Sequence, residues 1–109
     1  MKHVTMADKS LLIGDEAADL LIEYAALLAR ADSADTVSLN AYGDDGDPVE
    51  VTFLLNSGTV LLIESSDSVV TEPENYAGVA YLREHISRIE SPPQVQPMEQ
   101  PPQQQDWEL

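Results

Sequence analysis

The stretch Val37-Ser38-Leu39-Asn40-Ala41-Tyr42-Gly43-Asp44-Asp45-Gly46-Asp47-Pro48-Val49-Glu50-Val51-Thr52-Phe53-Leu54-Leu55 decides the fold. Val37, Leu39 and Ala41 alternate with Ser38, Asn40 and Tyr42, the period of a strand with one buried face. Gly43 to Pro48 holds only residues that favour turns. Val49, Val51, Phe53 and Leu55 then resume the alternation. Asn56-Ser57-Gly58 follows as a short loop, with Gly58 suited to the left-handed position of a three-residue hairpin. Thr59–Glu64 completes an expected three-stranded antiparallel meander.

Helical spacing flanks the strands. Leu20, Leu21, Tyr24, Leu27, Leu28 and Ala31 form one stripe, which predicts a helix over 16–31 with Asp15 as its N-cap. Thr71-Glu72-Pro73-Glu74 has the spacing of a capping box. It precedes a second stripe, Val79, Leu82, Ile86 and Ile89. Ser10–Ile13 is a candidate fourth, short N-terminal strand. The expected fold is α+β in the order (β)αβββα, with both helices on one face of the sheet. Residues 1–9 read as a flexible N-terminus, 10–90 as one acidic domain and 91–109 as a disordered tail. Between Pro92 and Gln105, eleven of fourteen residues are Pro or Gln, which cannot build a core.

Twenty Asp and Glu against five Lys and Arg give a formal charge of −15. Removing the tail acids Glu99, Asp106 and Glu108 leaves the domain at −12, so the charge belongs to the folded part. That sign tells against direct binding of nucleic acid or of anionic membrane. With 43% hydrophobic residues over the whole chain, the acidity does not by itself prevent folding. The acidity has three sources open to it: a host with acidic proteins, solubility through self-repulsion, or a basic partner. Absence of cysteine removes disulfides, thiolate nucleophiles and Cys-ligated metals. Leu11-Leu12-Ile13 runs straight into Gly14-Asp15-Glu16, unlike a signal-peptide core, so the expected location is cytoplasmic.

The order αβββα is that of the double-stranded-RNA-binding domain, and the resemblance is one of topology. That family docks on phosphates through lysines at the start of its last helix. Here that position reads Thr71-Glu72-Pro73-Glu74-Asn75, which would repel RNA.

Catalytic chemistry finds little footing. Asp44, Asp45, Asp47 and Glu50 could face a hard cation, but their spacing does not aim alternate carboxylates at one point, and Asp and Gly suit the turn itself. His85, with Glu84 beside it and Glu64 or Tyr81 as further neighbours, is a candidate acid–base group, yet no nucleophile or phosphate loop accompanies it. A cation near a helix C-terminus explains His85 equally well. No catalytic, cofactor or metal residue is assigned, and the expected protein is not an enzyme.

Binding is better supported. With a hairpin at Asn56-Ser57-Gly58, Leu55 would pair with Thr59, Phe53 with Leu61 and Val51 with Ile63. Leu54, Val60 and Leu62 would then share the other face with Tyr42, ringed by Glu50 and Glu64. Two helices cover only one face, so this patch should meet a protein partner, a second copy as a homodimer, or the N-terminal residues. The tail ends in Asp106-Trp107-Glu108-Leu109. A Pro/Gln-rich linker with an acidic, hydrophobic tip resembles the tails of bacterial single-stranded-DNA-binding proteins over the last eighteen residues. That resemblance implies that Trp107 and Leu109 dock into a partner. The expected function is a small acidic interaction module. The alternative is an acidic inhibitor, of nucleic-acid-mimic or toxin-immunity type, capping a basic enzyme.

Overall fold

The structure, a computed structural model, describes residues 1–90. Its elements are β1 (Lys2–Met6), β2 (Lys9–Ile13), α1 (Asp15–Arg30), β3 (Asp35–Tyr42), β4 (Pro48–Leu55), β5 (Leu61–Ser65) and α2 (Tyr76–Glu90). They form an α+β fold with one antiparallel five-stranded sheet in the order β4-β3-β2-β1-β5.

Two departures from the sequence reading reshape the sheet. Residues 2–6, expected to be loose, form β1 and sit between β2 and β5. The β1–β2 connection is Ala7-Asp8, with Ala7 at φ 56°. The second departure is at Asn56-Ser57-Gly58, which does not return β5 onto β4. Leu61, Leu62 and Ile63 pair instead with Met6, Thr5 and Val4 of β1. The expected Phe53–Leu61 and Val51–Ile63 pairs are therefore absent, and β4 and β5 are the two edges.

This order forces the sheet to curl. The register places Leu55 and Leu61 ten residues apart along the strands and four strand spacings across. In a flat sheet those offsets are roughly 33 Å and 19 Å. The chain from Leu55 to Leu61 reaches at most about 21 Å. Strong twist and coiling close the difference, and α1 lies in the resulting hollow, touching β1, β4 and β5.

The alternation read from sequence faces the right way. Val37, Leu39, Ala41, Phe53 and Leu55 are buried with Val4, Leu11 and Ile13 against Leu21, Tyr24 and Leu28 of α1 and Leu82 and Ile86 of α2. Helix α1 starts one residue earlier than expected, with Gly14 as N-cap and no side-chain cap. Asp15 binds the α-amino group of Met1 instead, at 2.8 Å.

Helix α2 also starts differently. The expected capping box does not form; Glu74 accepts from the Tyr76 N–H, and the helix begins there. Asn75 turns its amide onto β3. It accepts from the Asn40 N–H at 2.7 Å and donates to the Asn40 carbonyl at 2.9 Å. Asn40 Nδ2 in turn donates to the Glu74 carbonyl at 2.8 Å. Strands β2 and β3 pair only at Leu12–Tyr42, so most of this side of β3 has no strand beside it. The start of α2 occupies that place. Gly78 makes the approach possible: a methyl there would overlap the Leu39 side chain and lie 3.2 Å from the Ser38 carbonyl.

Candidate interaction site

The corner where the chain passes from β4 to β5 is held by its own polar groups. Thr59 Oγ1 donates to the Leu54 carbonyl at 3.1 Å, and the Asn56 N–H donates back to Thr59 Oγ1 at 3.0 Å. The Gly58 N–H donates to Asn56 Oδ1 at 2.8 Å, and the Thr59 N–H to the Asn56 carbonyl at 3.1 Å. These bonds close the loop on itself and leave its neighbouring apolar residues outside. Leu54 is 55% exposed, Val60 80% and Leu62 52%. All three lie within nine residues of chain, stitched together by the Thr59–Leu54 bond.

The structure thus exposes Leu54, Val60 and Leu62 as expected, but Leu54 and Leu62 are on two edge strands with β3, β2 and β1 between them in the pairing order, and Val60 is in the connection just before β5. Tyr42 does not join them. It is half-buried, and its hydroxyl donates to the Thr71 carbonyl at 2.9 Å. The segment 66–75 crosses β1 and β2 to reach β3, and Val70 shares a shallow depression with His3, Leu12 and Tyr42. Part of the outer face is therefore covered by this segment rather than by the N-terminal residues. The remainder is rich in hydroxyls, as in the Ser38–Thr52 contact at 2.8 Å. Trp107 and Leu109 lie outside the described residues.

Charge divides the surface in two. On α1, Asp15 holds the Met1 amino group, Asp19 holds Lys2 at 2.6 Å and Glu16 holds Arg83. The hydrogen bond from the N-terminus lowers the Asp15 pKa, and the bond to Asp19 raises that of Lys2. Among the described residues, no ion pair reaches Asp44, Asp45, Asp47 or Glu50 at the β3–β4 turn. There Asp45 Oδ1 accepts from the Asp47 N–H at 3.0 Å, and Gly46 takes φ 83°. The Asp45 carboxylate serves the turn, and among the described residues no three His, Asp or Glu converge on one point. The chain matches no family model, no curated protein and no solved structure.

A third cluster went unread in the sequence. Asp35 Oδ2, at the start of β3, accepts from the hydroxyls of Tyr24 at 2.6 Å and Tyr81 at 2.5 Å, while Oδ1 accepts from the Thr36 N–H at 2.8 Å. Burial opposes the Asp35 charge, but these three donors outweigh it and hold the carboxyl below its ordinary value. Burial, then the Asp35 bond, pushes Tyr24 well above an ordinary phenol, and the same bond followed by burial raises Tyr81. His85 stacks on Tyr81 with ring centres 3.8 Å apart, and its Nδ1 lies 2.9 Å from the Tyr81 carbonyl. Glu84, its expected acidic neighbour, binds Arg88, and Glu64 faces His3 across the β1–β5 ladder. A low-pKa carboxylate with its lone pairs filled is a poor base, and high-pKa phenols are poor acids. The cluster ties α1, β3 and α2 together.

Proposed function

We propose that this chain is a non-enzymatic interaction module that binds a protein through the corner formed by Leu54, Val60 and Leu62. The observation that carries the reading is the exposure of these three apolar side chains where the chain passes from β4 to β5, a corner held by the Thr59–Leu54 and Asn56–Thr59 hydrogen bonds. Exposed apolar groups gathered on a rigid corner favour contact over solvation. Trp107 and Leu109 are the proposed second contact, on the strength of their position after the Pro/Gln-rich stretch. A formal charge of −15 supports a protein rather than a nucleic-acid partner, and a cytoplasmic setting is in keeping with a chain without cysteine.

The inhibitor reading retains one specific observation. The acids of the β3–β4 turn have no basic partner among the described residues, whereas those of α1 are largely occupied by Met1, Lys2 and Arg83. A basic enzyme would dock on the turn. Capture from lysate by the full chain, by a Leu54→Glu/Leu62→Glu variant and by an Asp44→Asn/Asp45→Asn/Asp47→Asn variant separates the two. Loss of the captured protein with the first variant alone supports the corner. Loss with the second alone makes the turn the site and overturns the corner.

A further inference from the structure

We infer that β4 is a self-pairing edge: two copies of this chain join antiparallel through it, about a two-fold axis at Thr52. The inference rests on the interaction-module reading and names its partner, a second copy seated beside the same corner.

The argument starts from which way the backbone groups point. In an antiparallel ladder a residue's N–H and C=O lie on the same side, and the side alternates along the strand. Both groups of Asn40 go to Asn75, away from β4. The facing residue, Glu50, must then turn its own groups away from β3, and so must Thr52 and Leu54, two and four residues on. Leu54 confirms the side, since its carbonyl is reached by Thr59 and not by β3. Strand β4 pairs with β3 alone. Its outer edge therefore presents the groups of Glu50 and Thr52 and the N–H of Leu54, whose carbonyl keeps one lone pair beside its bond from Thr59.

Those groups select one register. Pro48 has no N–H, so a ladder must end inside it. Pairing Glu50 with Leu54 of the second copy, and Thr52 with Thr52, uses all three outward residues at once, with the Leu54 carbonyl accepting from Glu50 through the lone pair that Thr59 leaves free; shifting by two residues in either direction leaves one out. The same register resolves the charge problem of bringing two acidic domains together. Each acidic turn, Asp44 to Asp47, falls opposite the uncharged Asn56–Val60 loop of the other copy, and no carboxylate faces a carboxylate across the ladder. Val49, 38% exposed on the inner side of the edge, falls level with Leu55 of the second copy, whose side chain stays buried in its own core.

The test uses the full chain. Sedimentation across micromolar to millimolar concentration should show a monomer–dimer equilibrium for the wild type. Thr52→Glu puts two carboxylates face to face on the axis, and dimerisation should weaken by about tenfold or more with the melting temperature retained. The chain has no cysteine, so Thr52→Cys carries one thiol. A two-fold pair at that site holds Cα atoms about 5.5 Å apart, within disulfide reach. Oxidation should convert Thr52→Cys to a covalent dimer, while Asp67→Cys, exposed on the crossing segment, stays monomeric. A wild type that is monomeric throughout overturns the inference, as does cross-linking of Thr52→Cys no faster than that of Asp67→Cys. A dimer broken by Leu62→Glu but untouched by Thr52→Glu also overturns it, and leaves the corner standing.

Discussion

On its β3 side the β3–β4 ladder ends against side chains and a helix; on its β4 side it ends in solvent. The β3 flank is sealed by three devices. Asn75 supplies the hydrogen bonds that a neighbouring strand would supply to Asn40. Gly78 lets α2 lie close against Leu39, and Asp35 gathers the hydroxyls of Tyr24 and Tyr81. The β4 flank is closed only at the Leu54 carbonyl, which accepts from Thr59. Its exposed residues include Val49, Glu50, Thr52 and Leu54. Folded proteins protect or use their open edges. The proposed self-pairing uses the flank that α2 does not cover.

Substitutions along the ladder probe this contrast. The largest effect is expected at Phe53, buried on β4 itself. Phe53→Ala should cost about 3–5 kcal/mol in chemical denaturation, since a cavity would open between the sheet and α1. Next is Asp35→Asn on the sealed flank, which exchanges two charge-assisted bonds for neutral ones and should cost about 2 kcal/mol at neutral pH. The pH profile gives the sign. The folded carboxyl titrates below its ordinary value of 3.8, so its contribution is complete above that pH and is lost as the pH falls through the lower folded value. Thermal melts of wild type and Asp35→Asn should therefore converge in acid and separate at neutral pH. Equal spacing at every pH would show that the Asp35 charge carries no stability.

Asn75→Ala should cost less, about 1–2 kcal/mol, by leaving the Asn40 amide and carbonyl to find water. A loss under a few tenths would mean that this flank is not sealed by Asn75. On the open flank, Thr52→Glu should change the stability of the monomer by no more than about 0.5 kcal/mol, since it removes only the solvent-exposed Ser38–Thr52 hydroxyl contact. A large loss there would show that the β4 edge is covered within a single chain.

The sequence exposed one flank of this contrast more readily than the other. Strands β3 and β4 each alternate over eight residues, and the helix stripes are long, so those elements, their faces and the exposure of Leu54, Val60 and Leu62 were legible. Strand β1 was not, because its turn, Ala7-Asp8, carries φ 56° on an alanine, where glycine or asparagine would have signalled a hairpin. Strand β5 was found but given the wrong neighbour. Asn56-Ser57-Gly58 has hairpin composition, yet Asn56 and Thr59 close the loop on itself and send the chain onward to β1. Nothing in the sequence around Asp35 reveals that Tyr24 and Tyr81 meet it from two helices. The role of Asn75 is equally non-local, because its partner is thirty-five residues away.

Amide hydrogen exchange of the full chain, read residue by residue at low and high concentration, addresses both flanks at once. The Asn40 amide should be protected at every concentration through its bond to Asn75. The Glu50 and Thr52 amides should exchange freely in dilute solution and become protected as concentration rises. Protection of Glu50 and Thr52 already in dilute solution, or free exchange of both at high concentration, would contradict a bare edge that pairs with its own copy.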